Sequence, residues 1–248
     1  MRNAAINLAL VAIGLSMTAS AASLRGSMSH DALIHEEALP RVSVGVDLEL
    51  LERDLELGDG TLGRLRSNAL GLYLGVDVDH WLTVYGTWAV LEIEEVEVPG
   101  GDADYEDDTR WSLGANANLW EIDISSPRQM NGRVSIRANI ELAMYDATSK
   151  GINIDWEEFA FAVPIAYELY NDHKHLDGVH SLMLFAGPIY STVEGDVGGA
   201  VPEVNFDESE NWGLLAGAEL FLAENVSLLG QIHYFEQVSG NFSARYHF

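Results

Sequence analysis

The sequence has 248 residues, a formal net charge of −26 at neutral pH and no cysteine. A chain this acidic repels phosphates, which argues against a nucleic-acid partner. The absence of cysteine excludes disulfides, thiolate nucleophiles, a lipoprotein anchor and cysteine-based metal sites.

The first residues follow the order of a secretory signal peptide. Met1 to Asn3 is short and basic, residues 4–17 are mostly apolar, and Ala19 to Ala21 offers small residues for cleavage. The apolar run is too short to cross a bilayer core of about 30 Å, and no later stretch approaches the roughly 18 apolar residues of a spanning helix. We therefore predict a signal peptide at residues 1–21, a periplasmic lead-in of low order at residues 22–40, and one β-domain at residues 41–248.

Runs in which apolar and polar residues alternate recur throughout the predicted domain. Successive side chains of an extended strand point to opposite faces, so each run has one apolar and one polar face. Turn-forming residues separate the runs. We predict ten strands, at residues 41–51, 68–78, 81–91, 110–120, 133–145, 157–170, 180–191, 211–222, 226–236 and 241–248.

A helix is the competing interpretation of the fifth run. In the fifth, Arg133, Arg137 and Glu141 coexist with strict alternation, which a helical period of 3.6 would not give. The seventh is nearly all apolar, so the sequence does not assign its faces, and Pro188 is expected near a strand end or a bulge. Ten strands let both ends of the sheet meet on the same side; eight remains the alternative if the first or last hairpin is miscounted.

The final eight residues carry a resemblance to a known group of proteins. One face of this stretch is apolar and holds Phe242, Ala244, Tyr246 and Phe248. Such an ending on an aromatic residue resembles the C-terminal signature of bacterial outer-membrane β-barrels. Together with the signal peptide and the strand pattern, it resembles the small members of that group, the OmpA/OmpX-like and opacity-type porin-like proteins.

That resemblance implies an all-β fold: a closed antiparallel up-and-down transmembrane β-barrel in the bacterial cell outer membrane. It implies contact with outer-membrane lipid and lipopolysaccharide, and a terminal strand that acts as the membrane-insertion signal read by the barrel-insertion machinery. It also implies a structural or surface-interaction role without catalysis or a cofactor.

A soluble lipocalin-like barrel is the competing fold, because alternation alone does not say which face points inward. Three features favour the membrane barrel. Connections after even-numbered strands are predicted to be shorter than most of those after odd-numbered strands, and the polar faces mix small residues with charges. Aromatic residues mark the ends of the apolar faces, at Trp111, Phe159, Tyr167, Trp212, Tyr234, Tyr246 and Phe248.

In a membrane barrel the polar faces line the lumen. We predict a polar network there, formed by Asp47, Glu49, Asp77, Arg110, Arg133, Arg137, Glu141, Glu158, Glu168, Glu219, Gln231, His233, Arg245 and His247. Opposite charges are expected to pair, because an unpaired buried charge is very costly. A narrow pore for small solutes or cations is the alternative, although ten strands leave little free bore.

Two acid-rich segments are predicted to be external loops. The first spans residues 92–108 and the second includes Glu194, Asp196, Glu203, Asp207, Glu208 and Glu210. Clustered carboxylates suit divalent cations, so cation binding is one interpretation. The spacing of the acids in the first loop does not include the glycine of a calcium-binding loop at its place, which favours solvated acidic loops and no assigned metal site.

An outer-membrane hydrolase is the second alternative. Proteases of the omptin family use an Asp-His pair at the external rim, but Asp79-His80 falls at the periplasmic end of the predicted topology. Lipid A deacylases use His and Ser near the C-terminal strands, where His233 stands with Ser239 or Ser243, without a matching motif. His173 and His175 lie in a polar turn, where solvation explains them. We therefore predict that the protein is not an enzyme.

Overall fold

The computed structural model describes residues 42–58, 60–79, 81–96, 106–124, 132–149, 152–170, 181–199, 203–223 and 225–248. The predicted signal peptide, the lead-in and the pair His173 and His175 lie outside these residues. No helix within the described ranges is long and apolar enough to span a membrane.

All regular structure in the described residues is β-strand. The twelve strands are β1 (Val42–Leu57), β2 (Leu62–Asp79), β3 (Leu82–Val96), β4 (Glu106–Ile124), β5 (Gly132–Ser149), β6 (Ile152–Ala162), β7 (Ile165–Tyr170), β8 (Ser181–Gly199), β9 (Val204–Glu208), β10 (Trp212–Ala223), β11 (Val226–Tyr234) and β12 (Val238–His247).

The sheet closes on itself. Each strand pairs antiparallel with its neighbours, and β12 pairs with β1 from Ser43↔His247 to Leu50↔Gly240. β6 and β7 follow each other between β5 and β8, so together they occupy one position in the ring. β9 and β10 likewise follow each other along β8 and together occupy one position. The prediction of an all-β, closed, antiparallel up-and-down barrel of ten strands is confirmed.

Prolines account for the break between β6 and β7. Proline has no N–H to donate to a ladder, and Pro164 lies in the break while Pro188 lies opposite it in β8. The Val163 N–H donates to the Pro188 carbonyl at 3.1 Å, and the Arg137 N–H donates to the Pro164 carbonyl at 3.0 Å. At Gly187 a Cβ would lie 2.5 Å from the Pro164 Cα, so only glycine fits this close approach.

The strands run beyond their predicted bounds at the end away from Val42 and Phe248. β8 alone has 19 residues, whereas about 9–11 residues suffice to cross a bilayer. Connections at this far end have four residues between β1 and β2, nine between β3 and β4 and two between β5 and β6, while at the terminal end two separate β2 from β3 and ten separate β7 from β8. The predicted alternation of short and long connections is therefore wrong.

The physical reason is an exchange of faces along the strands that continue past the belt, as on β1. Near the termini the outward side chains are apolar, as at Leu72, which is 59% exposed. Beyond Leu50 on β1 the outward residues become polar, while Leu55 and Leu57 point inward and are buried. We call the part with an apolar exterior the belt and the part beyond it the cap.

The cap has an apolar interior like that of a soluble β-barrel. Tyr145 and Trp156 stack inside it with ring centroids 4.4 Å apart. The core of the cap consists of Leu51, Leu55, Leu57, Leu65, Ala69, Ala89, Leu91, Ile93, Ala143, Tyr145, Ala147, Ile154, Trp156, Val193, Val197 and Phe206. The sequence analysis assigned the polar residues of this part to loops. They lie instead on the outward face of strands whose inward face is buried.

The number of strands changes between the two parts. In the belt, β8 pairs with β10 and β1 pairs with β12. In the cap, β9 takes the place of β10 and β12. It pairs with β8 on one side, as at Val197↔Val204, and with β1 on the other, as at Leu57↔Phe206. Within the described residues, the ring of ten strands in the belt thus gives way to eight strands in the cap, β1 to β6, β8 and β9, of which β3 and β4 pair only as far as Leu91↔Asp108.

Candidate functional site

The structure places most of the residues proposed for the lumen in the barrel interior. Eleven are buried: Asp47, Glu49, Arg110, Arg137, Glu141, Glu158, Glu168, Glu219, Gln231, His233 and Arg245. Asp77, Arg133 and His247 are partly exposed towards the terminal end. Arg133 pairs there with Asp123 at 2.8 Å and Glu121 at 3.4 Å, so it belongs to the rim.

Arg110 is the centre of the best-connected group in the belt interior. Its guanidinium lies 2.8 Å from a Glu141 oxygen and 3.5 Å from a Glu49 oxygen, and it donates to the Thr87 hydroxyl at 2.8 Å. Glu141 also accepts a hydrogen bond from the Tyr85 hydroxyl at 2.9 Å. One guanidinium therefore serves two carboxylates in a site closed to solvent.

Large inward side chains fit because small residues stand beside them. A Cβ at Gly114 would lie 2.3 Å from the Tyr85 ring, and one at Gly75 would lie 2.4 Å from the Tyr73 hydroxyl. Arg245 lies over the Tyr73 ring with its Cζ 4.1 Å from the centroid. Glycines on the polar faces therefore provide the space that the tyrosines and Arg245 occupy.

The belt interior is not polar throughout. On the side of β7, β8, β10 and β11, inward apolar side chains form a second cluster that includes Met183, Phe185, Ile189, Leu215 and Leu229. These residues include the inward face of β8 that the sequence left unassigned. The lumen therefore has a charged side and an apolar side.

Sequence reasoning missed a second buried ionic group, which is centred on Arg53. Arg53 is 3% exposed and pairs with Glu208 and, at 2.6 Å, with Glu158. Glu158 also accepts from the Tyr145 hydroxyl at 3.0 Å and from the Ser191 hydroxyl at 3.2 Å. The signal was present in the sequence, because alternation continues past Leu51 once the apolar residues are allowed to change faces.

Burial dominates the electrostatics of Glu208. Removal from water, together with the nearby Glu158 carboxylate, raises the pKa of its carboxyl from the ordinary value of 4.5 to a net value of about 7. The Arg53 guanidinium and the Ser191 hydroxyl act in the opposite direction. Near neutral pH this carboxyl therefore exists in both protonation states.

The acid-rich segments are largely strands. Residues 92–96 lie in β3, residues 106–108 lie in β4, Glu194 and Asp196 lie in β8, and Asp207 and Glu208 end β9, so the loop prediction is wrong for these residues. Residues 97–105, including Asp102 and Asp104, lie outside the described part of the chain. The outward acids of β5, β6, β8 and β9 form the outer wall of the cap on this side, which we call the acidic wall.

Like charges face each other across the acidic wall. Asp146, Asp155 and Asp196 are direct register partners on three neighbouring strands, and Glu157, Glu194 and Asp207 form the next row. Partial burial raises the pKa of Asp155, and the neighbouring Asp146 and Asp196 carboxylates add to the effect. The rows border a groove of about 650 Å³, and no group of three or more potential metal ligands among the described residues is arranged to hold a metal ion.

The residues of the last two strands that were considered for hydrolysis do not form an accessible site. His233 and Ser239 are register partners on β11 and β12, and both are fully buried. Ser243 is also buried. Asp79 ends β2 at the terminal end of the barrel, and His80 lies outside the described residues.

A closed antiparallel barrel with an apolar exterior belt, and with both charged and apolar groups inside it, defines the structural class of this protein. No protein-family model and no curated protein matches the sequence. Among solved structures, it is similar to an outer membrane channel from Pseudomonas putida F1, with 13% identity, 86% of this chain and 97% of that chain covered, and a TM-score of 0.36.

Two further solved structures are similar. The translocator domain of the autotransporter NalP from Neisseria meningitidis has 12% identity, covers 88% of this chain and 90% of its own, and has a TM-score of 0.35. Ail, the attachment invasion locus protein of Yersinia pestis, has 11% identity, covers 85% of this chain and 100% of its own, and has a TM-score of 0.28. The fold assignment itself rests on the strand pairing and burial of this chain.

Proposed function

We propose that the protein is an integral β-barrel of the bacterial outer membrane with a structural or surface-interaction role and no catalytic activity. The observation that carries this proposal is the change of faces between belt and cap. The belt exposes side chains such as Leu74, Leu113 and Leu214 at 54–63% of their area, which suits outer-membrane lipid and lipopolysaccharide. The closed ring leaves no unpaired sheet edge in the belt, as hydrocarbon requires.

Outward aromatic residues in the belt support the same proposal. Trp212 and Tyr234 lie near its border with the cap, whereas Trp81, Trp120 and Phe248 lie towards the terminal end. Tryptophan and tyrosine favour the interfaces of a membrane. Phe242, Ala244, Tyr246 and Phe248 remain our proposed insertion signal for the barrel-insertion machinery.

Fractionation and gel migration test the location. The mature chain is expected in the outer-membrane fraction, to need detergent for extraction, and to migrate faster on a gel before boiling than after it. A chain that stays monomeric in water without detergent would overturn the proposal, because the apolar faces would then have to be internal.

The interior favours a closed barrel over the alternative of a narrow pore. Ion pairs and an apolar cluster occupy the belt interior, and the packed core of the cap lies above them. We expect no unitary conductance in planar bilayers across a range of salts and voltages. Stable conductance steps would favour the pore.

The burial of His233 and Ser239 favours a non-enzymatic role over a hydrolase. Purified protein is expected to leave peptides and lipid A unchanged. Turnover that disappears in His233→Ala would establish the hydrolase instead.

The acidic wall supports a further part of the proposal, namely that divalent cations gather there as a screening layer next to lipopolysaccharide. Register-paired carboxylates on neighbouring strands repel each other, and cations relieve that repulsion. The absence of a chelating cluster among the described residues favours diffuse binding.

Neutralising one acid of this wall is expected to stabilise the protein. Asp155→Asn should raise the free energy of unfolding at neutral pH by about 0.2–1 kcal/mol, because two cross-strand repulsions disappear. The raised pKa of Asp155 means that its ionised form opposes folding, so the gain should vanish as the pH falls below that pKa. Urea unfolding in low salt measures the gain, which millimolar magnesium should reduce; Asp123→Asn, at the terminal rim, is the control.

A further inference from the structure

The cap is closed at one place by a short seam. β9 has five residues, and three register pairs join it to β1: Leu55↔Glu208, Glu56↔Asp207 and Leu57↔Phe206. Two backbone hydrogen bonds flank these pairs. Gly58 N–H donates to the Asn205 carbonyl at 3.0 Å, and Ser209 N–H donates to the Asp54 carbonyl at 3.2 Å.

A buried charge imbalance lies directly beneath this seam. The single guanidinium of Arg53 serves the carboxylates of Glu158 and Glu208, and all three side chains are almost completely buried. Glu208 uses Oε1 for Arg53, and its Oε2 is buried as well. When both acids are ionised the group carries a net negative charge that water does not solvate, which is unfavourable.

The groups around Glu208 come from every element packed against it. Arg53 of β1 and Glu158 of β6 are the charged ones, Ser191 of β8 is neutral, and Phe235 covers the guanidinium at 4.2 Å. On the outer side lies a cavity of about 10 Å³, close to the space that one water needs. Its lining includes Glu52, Asp54, Glu208, Ser209, Glu210, Glu236 and Gln237.

We propose that the seam between β1 and β9 is a proton-controlled joint, closed when the Glu208 carboxyl is protonated and loosened when it ionises, with β9 separating from β1 while it stays paired with β8. β9 is held to β8 by four register pairs, from Glu194↔Asp207 to Val197↔Val204, and the two strands adjoin in sequence. The β1 side is therefore the weaker one. Opening it exposes Glu208 to water and removes the charge imbalance.

The direction of the pH dependence follows from the carboxyl. Its pKa is about 7 in the closed seam and returns towards 4.5 when the seam opens into water. A raised carboxyl pKa favours the closed form at low pH and progressively favours opening as the pH rises from 4.5 through 7. Between pH 5 and pH 8 the opening equilibrium should increase on the order of 50- to 100-fold.

Hydrogen exchange of the full-length protein in detergent tests the joint. The protection of the Gly58 and Ser209 amides, corrected for the intrinsic exchange rate at each pH, should fall by that factor between pH 5 and pH 8. Glu208→Gln keeps the shape of the side chain without its proton equilibrium, so protection in this variant should not vary with pH. Asp207→Asn alters the adjacent exposed acid and should keep the wild-type profile.

Either of two results would overturn the joint: wild-type protection that is constant over this pH range, or a pH profile that Glu208→Gln leaves unchanged. A crosslink provides a second measurement if Glu208→Gln fails to fold. The chain has no cysteine, and Glu56 and Asp207 are outward-facing register partners. Oxidised Glu56→Cys/Asp207→Cys should lose the pH dependence and regain it on reduction; persistence in the oxidised state would contradict the joint.

Because the joint lies in the cap, it does not depend on where the belt resides. A barrel found to be water-soluble would overturn the membrane proposal and leave the exchange experiment fully informative. A flat pH profile in a protein extracted from outer membranes would overturn only the joint.

Discussion

Replacing Arg110 with methionine is expected to lower the free energy of unfolding by about 3–5 kcal/mol. Methionine has a similar length and removes only the charge and the donors. Glu49 and Glu141, which lie 3.5 Å and 2.8 Å from the guanidinium, would then lose its positive charge from their buried surroundings. Urea unfolding in detergent, followed by tryptophan fluorescence, measures the loss.

Arg133→Met provides the matched control. Arg133 also pairs with two acids, but its partners Glu121 and Asp123 are 42% and 70% exposed, so water replaces the lost contacts. Its effect should stay within about 1 kcal/mol. Equal losses for the two variants would mean that the Arg110 group is solvated and that the lumen is wet.

A second substitution should restore part of the loss. Adding Glu141→Gln to Arg110→Met removes one of the two buried negative charges, so the double variant should be more stable than Arg110→Met alone. The same variants test the closed interior, because Arg110→Met should remain silent in planar bilayers if the core of the cap blocks the path. Conductance that appears only in this variant would identify Arg110 as the plug of a pore.

Alternation in the sequence predicted most of the belt because most belt strands have a polar face towards the interior and an apolar face exposed. Residues such as Leu72 and Tyr73 obey that rule. Alternation left β8 unassigned because the inward face of β8 is also apolar. The cap was missed because its faces are exchanged. Glu52, Asp54 and Glu56 suggest a loop when only the apolar outer face is followed, although Leu51, Leu55 and Leu57 keep the period of two on the other face.

The charged groups show the same limit. Arg110 and Glu141 could be placed in the interior from their strands, but their pairing depends on the register between strands, which the sequence does not give. Arg53 meets Glu208 across 155 residues of sequence, and only the partner exchange of β1 from β12 to β9 brings them together. β9 closes the ring of the cap because the β11–β12 hairpin ends before the cap begins. This is a geometric feature without a local sequence signal.

An arginine in the middle of the belt exterior is expected to have the other large effect. Leu74 is 54% exposed and lies midway along the apolar outward residues of β2. Against hydrocarbon, Leu74→Arg should lower the free energy of unfolding by about 2–4 kcal/mol in lipid vesicles. In a soluble barrel the same exposed position would accept arginine with a change of about 0.5 kcal/mol or less.

Glu56→Arg is the control for that substitution in the cap. Glu56 faces outward beside its register partner Asp207, so the new charge replaces a repulsion with an attraction and should leave the stability unchanged or slightly higher. A large loss at Leu74 with none at Glu56 would locate the boundary of the hydrocarbon between the two positions. Small effects at both would mean that the belt faces water, since only hydrocarbon distinguishes an arginine at Leu74 from one at Glu56.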